Sequence, residues 1–189
     1  MAGIDARVEE FLSAATEAQA ALLGAACVER ASGILFWVVS RDGREHDLEV
    51  YKSALEFIWR KPLNPDAVAP LASSDVEGLR ELVVGDEATM AAAFALHPAI
   101  ALRAMLKFHE SADKAFVRDC LLACHNQAYF LGRRTASDAL GAEQAGLMRD
   151  VAELSQVAES AAETLEHLRD NAQSVARERL EAAVNRYGN

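Results

Sequence analysis

The sequence predicts an all-α protein: a single-domain helical bundle that ends in a long heptad-patterned helix. Three observations predict it. The 189 residues are 51% hydrophobic but only 6% aromatic, with alanine supplying much of the apolar count and just 4 prolines. Alanine gives up no side-chain entropy in a helix, so this composition favours helices. Asp86 to Leu131 reads as two helical patterns joined at His109-Glu110-Ser111, and Ile100 to Phe108 is apolar except for Arg103 and Lys107. A helix apolar on nearly every side needs neighbours around it, so this pair is expected at the centre. Finally, Leu147, Val151, Leu154, Ala158, Ala161, Leu165, Leu168, Ala172 and Val175 follow one another in steps of four and three, which is a heptad seam.

Taken in order, Asp5 is placed to cap a short helix with Val8, Phe11 and Leu12 on one side. Ser13 or Thr16 starts the next helix, which runs to Arg30 and is closed by Ser32-Gly33, Gly being the natural residue past a helix end. Ile34 to Val39 is six apolar residues between turn signals. Its β-branched and aromatic content suits a strand, but a lone strand leaves its backbone groups unpaired, so helix is the expectation. Asp47 is read as the cap of a helix carrying Leu48, Tyr51, Leu55, Ile58 and Trp59 inward until Pro62. Asn64-Pro65 suggests a helical turn to Leu71, and Ser74 to Glu77 a capping box opening a helix that ends at Gly85. Pro98 should kink or restart the first helix of the central pair. Gly132 closes the second, and residues 133–142 form a connector. The domain reading is a bundle over residues 1–142 and a long helix over 143–189. About 45 helical residues span roughly 65 Å at 1.5 Å each, whereas a globule of this size is about 40 Å across. The last helix therefore breaks, weakest at Asp170 to Ser174, or projects and pairs with another chain. Pairing makes the seam from Leu147 to Leu168 the expected self-association surface of a homodimer.

The formal net charge is −10. It repels phosphate backbones and anionic membrane surfaces, so neither nucleic acid nor membrane is an expected partner, whereas a basic protein is. The most apolar window is taken as Ala88 to Leu106, where His97-Pro98 and Arg103 argue against a membrane span. The N-terminus has no basic region followed by an apolar stretch, and the reading is a cytoplasmic protein. Three cysteines, Cys27, Cys120 and Cys124, suggest no disulfide framework.

Each candidate site has a plainer reading. Cys120 and Cys124 with His125 or His109 could bind a soft metal, but cysteines on an apolar stripe pack as small hydrophobes. His97 could carry protons, yet beside Pro98 it is better placed to bond a carbonyl that the proline frees. Glu45-His46-Asp47 has acid–base residues but no nucleophile signal nearby. Glu163 and His167 form an ordinary surface pair. No phosphate loop, nucleophile elbow or paired-Cys zinc pattern appears, so no cofactor, metal or catalytic residue is assigned. Asp66, Asp75, Glu77, Glu81, Asp86 and Glu87, set against Arg80 alone, remain as an acidic docking run.

Cys27-Val28-Glu29-Arg30, Ala54 to Arg60 and Ala95-Leu96-His97-Pro98-Ala99-Ile100 together resemble, in order and spacing, the YjaG-like family of small bacterial helical proteins, a domain of unknown function. The resemblance covers roughly residues 22–131. The family tends to have Pro-Asn after the Glu-Arg pair, where this chain has Ala31-Ser32-Gly33, and the heptad-patterned end also departs from it. The resemblance implies an all-helical single domain and carries over no reaction and no functional residue. The functional expectation is a non-enzymatic, protein-binding domain, an immunity or antitoxin-like inhibitor or an adaptor. The alternatives are a protein that self-assembles through its last helix, and an enzyme with a site gathered from His97, Glu29, Arg30 and Glu56.

Overall fold

The computed structural model describes residues 5–70, 72–83, 90–156 and 162–188. Among them are eight helices and no strand: α1 (Ala6–Ala14), α2 (Glu17–Arg41), α3 (Glu45–Arg60), α4 (Ser73–Glu77), α5 (Met90–Ser111), α6 (Ala115–Thr135), α7 (Ala139–Gln156) and α8 (Ala162–Tyr187). The all-α, single-domain expectation is met.

The axis of the bundle is α2. Every residue from Ala20 to Ser32 is buried, and α3, α5, α6, α7 and α8 all pack on it. The helices α5 and α6 do pair closely, but α2 is the helix enclosed on every side, which corrects the expected centre. The reason is composition. The mean hydropathy of the most apolar window of α2 is 1.6, against 1.3 for α5. By length and composition alone both helices could cross a membrane; in this fold 83% of the α2 window and 61% of the α5 window is buried within the protein.

Helix starts follow the expected chemistry at two places. The Asp5 carboxylate accepts from the Arg7 backbone N–H at 2.9 Å. Thr16 and Gln19 cap each other's backbone N–H groups at 3.2 and 2.8 Å.

Several boundaries are corrected. Gly33 does not end a helix, and α2 continues through it to Arg41, so Ile34 to Val39 is helical. A Cβ on Gly33 would lie 3.1 Å from the Ala176 carbonyl oxygen of α8, so this glycine admits a close helix crossing. Asp47 is not a cap; α3 starts two residues earlier, and Asp47 lies in its first turn, bonded to Arg44 at 3.0 Å. Residues 64–70 hold a single turn at Pro65-Asp66 and otherwise irregular chain, not a helical turn to Leu71. The helix α4 ends at Glu77, well before Gly85, which lies outside the described residues, as do Leu71 and Asp86. Gly132 lies inside α6, which ends at Thr135 and is capped by Ala136 in the left-handed region with φ 57°.

The helix α5 runs unbroken through Pro98. Proline gives no N–H to the Phe94 carbonyl, and the Gln127 side chain supplies the missing donor at 3.2 Å. Of the expected kink or restart, the restart does not occur, since α5 is continuous from Met90 to Ser111. The heptad-patterned segment is two helices, α7 and α8, which pack on each other and on α2. Asp170 to Ser174 is continuous helix within α8.

Candidate functional site

Five buried polar residues, Arg30, Gln127, Glu143, Asp150 and Arg179, gather into one cluster where α2, α6, α7 and α8 meet. Arg30 of α2 donates from Nε to Glu143 of α7 at 3.0 Å, from Nη1 to Asp150 further along α7, and from Nη2 to Cys27 Sγ at 2.8 Å. Glu143 and Asp150 are seven apart and so share a helix face. Gly146 lies between them, and a Cβ there would come within 3.3 Å of Arg30 Cδ. Arg179 of α8 completes the cluster, donating to Glu143 and, at 3.3 Å, to Gln127 Oε1. Gln127 uses its amide on Ala31 O at 3.0 Å and on Phe94 O. One side chain of α6 thus ties α2, α5 and α8 together.

All five residues are at most 2% exposed. Burial opposes ionisation of Glu143, but Arg30 and Arg179 outweigh it and bring its pKa down to about 2. Burial also works against the Arg30 charge, yet Cys27, Glu143 and Asp150 beside it hold its pKa well above the ordinary value. Asp150 has one arginine; there burial prevails and the pKa rises. The two arginines and two carboxylates cancel. Removing one partner of such a buried group costs about 3–5 kcal/mol, because an unpaired charge stays behind.

Two further networks brace α3. Glu29 accepts from Trp59 Nε1 at 2.7 Å and lies 3.4 Å from Arg169, which also reaches Glu56 at 2.7 Å. Burial raises the Glu29 pKa despite Arg169, whereas the hydrogen bond from Arg169 lowers that of Glu56. Arg44 holds Asp47 and Glu81, and Tyr51 donates to Glu81 at 2.8 Å.

The dispersed residues named from the sequence do not converge on one site. Arg30 lies in the central cluster and Glu29 with Glu56 in the second network. His97 stacks on Phe130 at 5.9 Å, while Gln127, not His97, serves the carbonyl freed by Pro98. Of the acidic run, Glu81 is 4% exposed and bonded inward. Asp75 accepts from the Ala72 N–H at 2.8 Å, and Glu77 pairs with Lys107 at 3.0 Å. Asp66, Asp75 and Glu77 are exposed, and Asp86 and Glu87 lie outside the described residues. Of the seam, Val151, Leu154 and Leu168 are buried in the body, Leu147 and Leu165 are packed against it, and Ala158 and Ala161 lie outside the described residues. His167 pairs with Glu153 of α7 at 2.8 Å. The three cysteines are free and buried, Cys124 donating to Cys27 O at 3.2 Å.

Gln127, Glu143, Asp150 and Arg179 were not singled out as a group by the sequence. Two signals bear on them: a glutamine on the inward stripe Cys120, Cys124, Leu131 of α6, and Arg179 at the point where the heptad register slips. With its members sealed from solvent, the cluster can fix α7 and α8 on α2. A groove of about 330 Å³ between the start of α7 and α8, lined by Ser137, Asp138, Ala142, Val175 and Glu178, touches it only at Arg179.

A crystal structure of a DUF416 family protein from Shewanella baltica OS155 matches this chain with a TM-score of 0.72 at 15% identity, over 87% of this chain and 92% of that one. The likeness shows a shared fold. No family model and no curated protein matches the sequence.

Proposed function

We propose that the chain is a non-enzymatic binding protein whose acidic helical body docks on a basic protein partner, as an immunity or antitoxin-like inhibitor or an adaptor. One observation carries this reading. The buried central cluster balances its own charges, so the formal −10 resides on the rest of the molecule, where Asp66 is exposed and Asp75 and Glu77 stay exposed with their local bonds made. A field of one sign steers an oppositely charged partner and raises its association rate. The resemblance to the YjaG-like family belongs to the same reading. Two of its three pieces meet through the Glu29–Trp59 hydrogen bond, and the shared fold with a DUF416 family protein supports it.

The test is capture of a partner from native cell extract, followed by reconstitution of the purified pair. The expected result is a stoichiometric complex that weakens with salt and weakens further in the Asp66→Lys/Glu77→Lys variant. Circular dichroism verifies that this variant keeps its helices. No stoichiometric partner, or a complex indifferent to both salt and charge reversal, would refute the proposal.

A further inference from the structure

The outward face of α6 carries the exposed aromatic residues among the exposed large hydrophobics of the described residues. Leu122, Tyr129 and Phe130 are 37, 38 and 47% exposed, and Met90 of the adjoining α5 is 41% exposed. Leu122, Asn126, Tyr129 and Arg133 fall on one helical stripe, with Phe130 beside it. The stripe abuts α5 where Phe130 stacks on His97, the ring planes 16° apart. Met90 lies two turns before His97, on the same side of α5. The rings are held in place: Tyr129 meets Phe130 edge-on at 5.4 Å, and Arg133 lies over Tyr129 and donates to its hydroxyl at 3.1 Å. Aromatic groups and arginine fixed before association lose little entropy on binding, and they dominate binding energy at interfaces.

Charge selects the occupant. The chain holds 29 acidic and 19 basic residues, yet residues 90–109 and 120–137 contain no Asp or Glu. Arg103 and Lys107 of α5 turn to Glu77, while Arg133 and Arg134 stay exposed at the end of the aromatic stripe. Exposed Asp119 and Asp138 stand only at the two ends of that stretch, and Glu77 at its α5 side is taken up by Arg103 and Lys107. An amphipathic helix with apolar residues on one face and carboxylates at its edge would meet rings in the middle and guanidinium groups at the end.

We propose that the α5–α6 face, centred on Tyr129, Phe130 and Leu122 and bordered by Arg133 and Arg134, docks an acidic amphipathic helix of a partner protein. The acidic surface above adjoins α5 through Glu77, Arg103 and Lys107, and the two together make the chain an adaptor for two partners.

The test uses two labelled synthetic amphipathic peptides of about 20 residues with the same leucine face. One has glutamate on its polar face and the other lysine. Anisotropy is read with the full chain. The overall −10 charge by itself favours the lysine peptide, so preference for the glutamate peptide must come from this face. The glutamate peptide is expected to bind at least about tenfold tighter, the effect of a few charge-assisted contacts. Arg133→Glu/Arg134→Glu is expected to abolish the preference. Phe130→Ser is expected to weaken binding about 30-fold, as for a hot-spot aromatic. Asp66→Lys, at a residue with no ion pair to α5, is expected to leave it unchanged, which separates this result from the fate of the basic-partner proposal. Equal or tighter binding of the lysine peptide, or indifference to Phe130→Ser, overturns the assignment. So does sedimentation showing a dimer that Phe130→Ser converts to monomer, because the face would then be covered by a second copy.

Discussion

Gln127 shows how much one side chain can settle. Proline in the middle of α5 strips Phe94 O of its helical donor, and an unsatisfied buried carbonyl costs about 1–3 kcal/mol. The Gln127 amide supplies the donor from the next helix while also bonding Ala31 O and receiving Arg179. Gln127→Leu should therefore destabilise the protein by about 1–3 kcal/mol or more. Pro98→Ala returns an N–H to Phe94 O, so Gln127→Leu should cost less in that background. A double-mutant cycle by urea unfolding measures the coupling, expected at about 0.5–1.5 kcal/mol. Additive losses would mean that the two residues act independently. His97-Pro98 was legible as a disturbance in an apolar helix. Which residue repaired it was not, because the repair comes from a position 33 residues away in sequence.

Among the elements, α2 and the segment after Glu143 depart most from the local reading, α2 because of a glycine. Glycine is a helix stop in local statistics and a spacer where two helices touch, and sequence alone does not separate the uses. At Gly33 the approach of α8 decides it. Gly33→Val should push against the Ala176 carbonyl, part of a helix backbone that yields less readily than a side chain. The expected loss is about 1–3 kcal/mol, read from chemical denaturation; unchanged stability would show that the crossing has slack. Of the two outcomes the heptad pattern left open, a break with packing on the body is the one seen in α7 and α8. Val151, Leu154 and Leu168 pack into the chain's own body. Length excluded one straight helix lying on a body of this size, and folding back as α7 and α8 answers that constraint while covering α2.

At the scale of the whole molecule, pH tests the buried groups together. Burial, helped by Lys61, lowers the pKa of His109 from 6.5 to about 4. Its Nε2 has no hydrogen-bond partner among the described residues, and the ring is edged by Phe57 and Phe108. A depressed histidine contributes stability above its unfolded pKa and loses it as pH falls, here between 6.5 and about 4. Glu143 acts lower, its contribution fading from the unfolded range near ~4.3 down through about 2. Stability should thus decline in two stages on acidification. His109→Gln should flatten the first and Glu143→Gln the second, each followed by denaturation at several pH values. A slope unchanged in both variants would place the titrating groups elsewhere.

Composition and periodicity by themselves determined that the chain is all helical, where most helices lie, and which faces are apolar. Those properties follow from local backbone preference and from repeats within a few turns. Tertiary structure alone decided that α2 is the axis and that the heptads close on the body. It also decided that Arg30, Glu143, Asp150, Arg179 and Gln127 form one cluster and that Glu81 turns inward. Each depends on which groups from distant helices meet away from water, where an unpaired charge or carbonyl is too costly to leave, and no local pattern records that meeting.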